Sequence, residues 1–140
     1  MEVDLSTEYL GLKLTSQVME SASPCTGQPD VLKRLEANGV GAAVLPSLFE
    51  EQINGGIGCP QNLGSATESA RAASLFPTLI DYNRGPDCYV NLIDEARRAV
   101  SMPIIASLNA ATPTRWVEYA KRIADAGADA LELNLYFVPT

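Results

Sequence analysis

Two stretches of the chain repeat each other: LKRLEANGVGAAVLP at residues 32–46 and AKRIADAGADALELN at residues 120–134. In both copies a run with helical spacing of apolar residues ends at a glycine, Gly39 or Gly127, and an apolar run of strand length follows. A glycine just after the last periodic residue is a common helix stop, because it adopts the left-handed conformation easily. Each copy therefore predicts a helix followed by a buried strand, the repeating unit of an α/β fold.

The same order of helix and strand extends through the other interpretable segments. We predict helices from about residue 28 to the stop at Gly39, over residues 86–100, and from the Thr112-Pro113 cap to Gly127. A β-hairpin is predicted around Leu10-Gly11. Residues 53–83 predict an irregular insertion with one short helix, inside a single domain spanning residues 1–140. The predicted parallel strands begin near Gln17, Gly41, Pro103 and Ala128.

The last strand indicates which parallel-sheet architecture is present. In ALELNL, residues 130–135, the leucines share one face, while Ala130, Glu132 and Asn134 share the other. Both faces of an all-parallel sheet are normally covered, so a polar face fits the mouth of a barrel better than open solvent. Polar residues also alternate at the ends of two other strands: Ser107 and Asn109, and Ser21 and Ser23. We therefore predict an α/β fold of the (βα)8 TIM-barrel type, here as about four βα units, a half barrel.

Composition excludes several classes of function. The net charge is −7 and the basic residues are scattered, which argues against nucleic acid as a partner. No apolar run is long enough for a membrane span. The three cysteines form no C-x-x-C pair and there is no histidine, so we predict a reduced, cytoplasmic protein without a metal site.

The segments DLSTEYLGLKL, SASP, GAAVLPSLFEEQI, IASLNAATP and GADALELNLYFVPT together resemble the dihydroorotate dehydrogenase-like proteins of the class 1, flavin-dependent type. The resemblance covers nearly the whole chain but only the amino-terminal half of that family. It implies a (βα)8 barrel with FMN at its mouth and an oxidation of dihydroorotate to orotate in pyrimidine biosynthesis. The small-molecule partner it implies is dihydroorotate-like. Because an open half barrel exposes two sheet edges and an apolar lumen, we also predict association into a homo-oligomer.

The resemblance also implies roles for individual residues. Asn134 is expected to contact both the cofactor and the carboxylate or carbonyl groups of the substrate, and Asn83 in DYNRGPD matches an asparagine of the substrate loop. The expected FMN-binding positions are Ala22, Ser23, Ser47, Ser107, Asn109 and Asn134.

Two departures from the family pattern leave the catalytic base unassigned. Pro46-Ser47 stands where the family has a lysine followed by threonine or serine. Tyr136 and Phe137 stand near the position of the family's cysteine base, and an unperturbed phenol, with a pKa of about 10, is a poor base near neutrality. Two alternatives therefore stay open: a non-catalytic half barrel that closes by pairing with another chain, and a flavin-free barrel that binds a phosphorylated metabolite.

Overall fold

The computed structural model describes residues 3–49, 86–109 and 113–135. The predicted insertion at residues 53–83, which includes Asn83, lies outside the described residues, as do Tyr136 and Phe137. The proposed boundaries of a single domain over residues 1–140 therefore stay a prediction.

Six strands, three α-helices and one short 3-10 helix make up the described chain. The strands are β1 (Thr7–Tyr9), β2 (Leu12–Leu14), β3 (Met19–Glu20), β4 (Ala42–Phe49), β5 (Ile104–Asn109) and β6 (Ala130–Leu133). The helices are the 3-10 helix (Pro24–Gly27), α1 (Pro29–Ala37), α2 (Pro86–Ala99) and α3 (Pro113–Asp125).

The predicted hairpin is confirmed: β1 pairs with β2 in antiparallel fashion. Its turn places Leu10 at φ 53° and Gly11 at φ 75°, both in the left-handed region. Positive φ at both central residues is the mark of the type I′ turn, whose twist matches that of the flanking strands.

The other four strands form one parallel sheet in the order β3-β4-β5-β6. Consecutive strands are neighbours, and each pair of strands from β3 onward is separated by a segment that contains helix. The helix stops predicted from the repeat are confirmed, with Gly39 at φ 84° and Gly127 at φ 90°. The predicted first parallel strand, from Gln17 through SASP to Pro24, is too long. The observed strand covers only Met19–Glu20, and the chain then turns into the 3-10 helix that starts at Pro24.

Two apolar clusters lie on opposite faces of this sheet. The larger one is the core between the sheet and the helices, and we call this side the helix face. Its fully buried members include Leu32, Ala43, Leu45, Leu48, Leu92, Ile93, Ile104, Ala106 and Leu108. The smaller cluster lies on what we call the inner face and consists of Leu14, Ala42, Val44 and Ile105, with Ala22 and Ala130 packed against it.

The hairpin covers the amino-terminal end of the inner face. Leu14 of β2 is 3% exposed and packs on Ala42 and Val44 of β4. The chain after β2 passes so close to β4 that a Cβ on Gly41 would lie 3.0 Å from the backbone N and C of Ser16, and nearer still to its carbonyl oxygen. A glycine is therefore required at the start of β4 for the hairpin to dock.

A carboxylate joins α1 to the turn before β5. Oε1 of Glu36 accepts hydrogen bonds from the backbone N–H groups of Ser101 and Met102, both at 2.8 Å, and from the Ser101 hydroxyl at 2.7 Å. The Ser101 hydroxyl is the main cause of a pKa of Glu36 below its ordinary value of 4.5. The charged form of Glu36 is therefore the one that stabilises this end of the sheet.

We expect Glu36→Gln to reduce the acid sensitivity of the fold. Because the folded-state pKa is depressed, the stabilisation is fully present above pH 4.5 and is lost as the pH falls through the folded value. Glu36 is largely solvated, so screening limits the effect to less than about 1 kcal/mol. Urea unfolding between pH 3 and 7 measures this difference, with the exposed Glu95→Gln of α2 as control. If the unfolding free energy depends on pH equally in the two variants, the role assigned to Glu36 is wrong.

Candidate functional site

Four polar side chains meet on the inner face, near the carboxyl ends of three adjacent strands. The Oγ atoms of Ser47 and Ser107 are 2.8 Å apart, and the Ser107 hydroxyl donates to Oε1 of Glu132 at 2.8 Å. Nδ2 of Asn134 lies 3.2 Å from Oγ of Ser47 and 3.0 Å from Oγ of Ser107. We call these four residues the polar cluster.

The strand register brings the polar cluster together. Ser47 of β4 is paired with Ser107 of β5, which is paired in turn with Glu132 of β6. Asn134 follows Glu132 by two residues, and its backbone N–H donates to the carbonyl of Leu108, so the ladder continues past the end of β6. Residues two apart on a strand share a face, which places Asn134 beside the other three.

Ser47 reaches the inner face because β4 contains a β-bulge. From Val44 to Ser47 the strand takes three residues, whereas the paired segment of β5 takes two, from Ile105 to Ser107. Strict alternation from Val44 would point Ser47 toward the helices. The extra residue instead lets Leu45 and Leu48 both enter the helix-face core and turns Ser47 inward.

A buried tyrosine of α2 completes the hydrogen bonding at the bulge. The hydroxyl of Tyr89 accepts from the backbone N–H of Ser107 at 2.8 Å and donates to the carbonyl of Ser107 at 3.2 Å. The carbonyl of Leu108 bonds toward β6, so by alternation the backbone groups of Ser107 face β4. Tyr89 thus adds a side-chain hydrogen bond to each backbone group of Ser107, next to the bulge.

The electrostatics of the site follow from one carboxylate and one neutral phenol. Burial raises the pKa of Tyr89, and the negative charge of Glu132 raises it further. Tyr89 therefore stays protonated and can donate and accept at once. Among residues 3–49, 86–109 and 113–135, no ion pair includes Glu132, so within this part of the chain its negative charge has no cationic partner.

The structure brings three of the expected residues together and leaves the others apart. Ser47, Ser107 and Asn134 belong to the polar cluster. Ala22 packs on the apolar part of the inner face, and Oγ of Ser23 is buried with no hydrogen-bond partner among the described residues. Asn109 follows Ser107 by two residues and is half-buried, but no hydrogen bond joins its side chain to the four.

Two residues of the site were not among those predicted from the sequence. The period-2 pattern of residues 130–135 did place Glu132 on the polar face with Asn134, and this was the signal that it could join the site. Tyr89 carried no such signal, because its spacing in α2 is that of any core aromatic residue.

The cysteines only partly match the prediction. Cys25 is exposed and has a free thiol. Cys88 is buried and disulfide-bonded. The prediction that all cysteines are reduced is therefore wrong for Cys88, and the cytoplasmic location that rested on it stays a prediction.

None of the helices in the described part of the chain is long and apolar enough to cross a membrane. Within residues 3–49, 86–109 and 113–135, no group of three or more histidine, cysteine or acidic side chains is arranged to hold a metal ion.

A cavity of about 470 Å³ lies at the opposite end of the sheet from the polar cluster. Its lining includes Lys13 of the hairpin, Glu36, Gly41 and Ser101. In barrels of this type the amino-terminal end serves stability, whereas chemistry takes place at the carboxyl ends of the strands. The polar cluster is therefore the better candidate site.

Comparison with known proteins shows a likeness to solved structures. No protein-family model and no curated protein match the chain. A solved structure, an IMP dehydrogenase/GMP reductase-like protein from Corynebacterium glutamicum, is similar to it, with a TM-score of 0.57 and 16% sequence identity. The match covers 97% of this chain and 36% of that one. The shared feature is the fold.

The predicted fold class is confirmed. Parallel strands alternate with helical segments, the helices lie on one face of the sheet, and the chain superposes on about a third of a larger barrel protein. The chain is thus a partial α/β barrel preceded by a β-hairpin. At 16% identity the likeness gives no support to dihydroorotate dehydrogenase over other proteins with this fold.

Proposed function

We propose that the chain forms the amino-terminal part of an FMN-dependent oxidoreductase of the dihydroorotate dehydrogenase-like type, with the polar cluster facing cofactor and substrate. The observation that carries the proposal is the position of Ser47, Ser107, Glu132 and Asn134 at the carboxyl ends of parallel strands, on the face away from the helices. Active sites of (βα)8 barrels are built at this end. The similar solved structure bears the name of a dehydrogenase/reductase-like protein, which supports the same class of reaction.

The residues on the inner face fit a flat, mixed-polarity ring. The small side chains of Ala22 and Ala130 pack low on this face, and the polar cluster lies above Ile105. Asn134 offers an amide, and Ser23, next to Ala22, holds a buried hydroxyl that has no hydrogen-bond partner among the described residues. A buried hydroxyl without a partner costs free energy, so a ligand that bonds it would stabilise the protein.

FMN bound at this face would supply the hydride acceptor of the reaction. The chain's own residues would orient the ring, with Ser47 and Asn134 hydrogen-bonding its polar edge and Ala22 allowing close approach. The substrate would be a small molecule of the dihydroorotate type, and the protein would be a cytoplasmic homo-oligomer. The catalytic base stays unassigned.

We expect the chain to bind the isoalloxazine ring itself. When the chain is titrated into lumiflavin, which lacks the ribityl phosphate, the flavin fluorescence should be quenched. The affinity should lie within about threefold of that for FMN, because phosphate sites of such barrels come from loops after strands seven and eight. Asn134→Ala should weaken both affinities about tenfold by removing the hydrogen bonds of a polar edge.

Asn91→Ala, at an exposed position of α2, is the matched control and should leave both affinities unchanged. Absence of quenching with both flavins, or equal losses in the two asparagine variants, would overturn the proposal.

One observation favours the second candidate, a scaffold that closes with another chain. Leu133 and Leu135 are 49% and 79% exposed beside β6, an edge strand of the described sheet. Exposed apolar residues at an unpaired strand edge favour association. A dimer or larger species in light scattering, from protein that binds neither flavin, would support this alternative over the first.

A further inference from the structure

We propose that Glu132 makes the polar cluster select ligands that present hydrogen-bond donors, above all N–H groups, over ligands that present a carboxylate. This inference deepens the proposed function by naming the substrate edge that faces the polar cluster. It rests on the direction of the hydrogen bonds, which can be assigned donor by donor.

The hydroxyl groups of Ser47 and Ser107 form a series of hydrogen bonds that all run in one direction and end at Glu132. A serine hydroxyl has a single hydrogen. The hydrogen of Ser107 is given to Oε1 of Glu132, since a carboxylate can only accept. In the 2.8 Å contact between the serines, Ser47 must therefore be the donor and Ser107 the acceptor.

The amide of Asn134 fills the remaining positions on Ser107. Because the two serine oxygens are only 2.8 Å apart, one N–H of Asn134 is directed at both. Ser107 then donates once and accepts twice, which satisfies it completely, in keeping with its full burial. The other N–H of Asn134 and its side-chain carbonyl oxygen have no partner among the described residues.

The groups left for a ligand are mostly acceptors. Ser47 has used its hydrogen and retains an acceptor position, and the second oxygen of Glu132 is also an acceptor. Against these stands the single remaining N–H of Asn134. The described residues place no cation beside Glu132, so the acceptors also carry a net negative charge.

A ligand carboxylate at this position would be repelled by the negative charge of Glu132. Its oxygen atoms, which only accept hydrogen bonds, would also face the acceptors of the polar cluster. An N–H edge, neutral or cationic, would pair with Ser47 and Glu132, and a bond to a charged group is about twice as strong as a neutral one. For a dihydroorotate-like substrate the ring N–H groups, not the carboxylate, would therefore face the polar cluster. This reverses the carboxylate contact that the resemblance implies for Asn134.

The test uses three probes of equal shape and different charge: benzamidine, benzamide and benzoate. Each is titrated into the 15N-labelled chain at 0.15 M salt, and Kd is read from the amide signals of Ser107, Glu132 and Asn134. We expect benzamidine to bind at least about tenfold tighter than benzoate, with benzamide between them. Equal affinities, tighter benzoate, or no shifts at these amides would overturn the proposal.

Two variants separate the local effect from the overall charge of −7. Glu132→Gln should reduce the preference for benzamidine over benzoate to within about twofold, whereas the exposed Glu95→Gln, with the same change of net charge, should preserve it. Equal behaviour of the two variants would also overturn the proposal. The probe ranking in the unsubstituted protein decides the matter should Glu132→Gln fail to fold, and since no probe contains flavin, the outcome is independent of the flavin titration.

Discussion

Gly41→Ala is expected to lower the free energy of unfolding by about 3 kcal/mol, the upper end of the range for inserting a group into a packed region. The new Cβ would lie 3.0 Å from backbone atoms of Ser16 and closer to its carbonyl oxygen. Backbone atoms cannot turn aside as a flexible side chain can. The backbone N–H of Gly41 also donates to the carbonyl of Val18 at 2.9 Å, so any shift disturbs a second contact.

The same substitution should loosen the hairpin, since the clash pushes it away from β4. Leu14, buried on the inner face, would then be exposed. Urea unfolding measures the stability, and amide hydrogen exchange in β2 reports the docking of the hairpin.

Gly127→Ala is the matched control for the loss of a glycine. Its Cβ would meet nothing within 4 Å, so only the positive φ of 90° costs free energy, about 1–2 kcal/mol. The rates of amide hydrogen exchange in β2 should not change in this variant. A loss in Gly41→Ala no larger than in Gly127→Ala, with the hairpin still protected, would contradict the role assigned to Ser16.

The repeat and the strand patterns predicted most of the fold because both depend on local physics. A glycine that ends a helix is recognisable from its neighbours alone, and both Gly39 and Gly127 proved to have positive φ. The alternation in residues 130–135 likewise determines which side chains share a face. The short first strand was harder to predict, because the sequence SASP is compatible with a strand end or with the 3-10 turn that is formed.

The site was predictable only where it follows alternation. Asn134 and Ser107 are placed by counting along a single strand. Ser47 is not: counting from Val44 turns it toward the helices, and it was expected at the site only because of the family resemblance. Its position depends on a bulge in β4, and the local pattern of the sequence does not indicate that bulge. Glu132 was visible on the polar face, but an acid on a strand does not by itself indicate a partner.

Tyr89→Phe is expected to destabilise the protein by about 2 kcal/mol and to disturb the position of Ser47. The substitution keeps the buried ring but removes the hydroxyl that bonds both the N–H and the carbonyl of Ser107, and each such hydrogen bond contributes about 0.5–1.5 kcal/mol. Tyr119→Phe is the control, because Tyr119 lies in the same core and bonds neither backbone group of Ser107.

Without the Tyr89 hydroxyl, the backbone of Ser107 loses a contact that fixes it beside the bulge, so Ser47 is held less firmly against Ser107. The amide signals of Ser47 and Ser107 should therefore shift, and the exchange of the Ser107 amide should accelerate, in Tyr89→Phe but not in Tyr119→Phe. A stability loss equal in the two variants, with the Ser107 amide still protected, would show that the bulge is held by β4 itself. The expected outcome instead makes Tyr89 a positioning residue, which acts on the polar cluster from the helix face through the backbone of one strand.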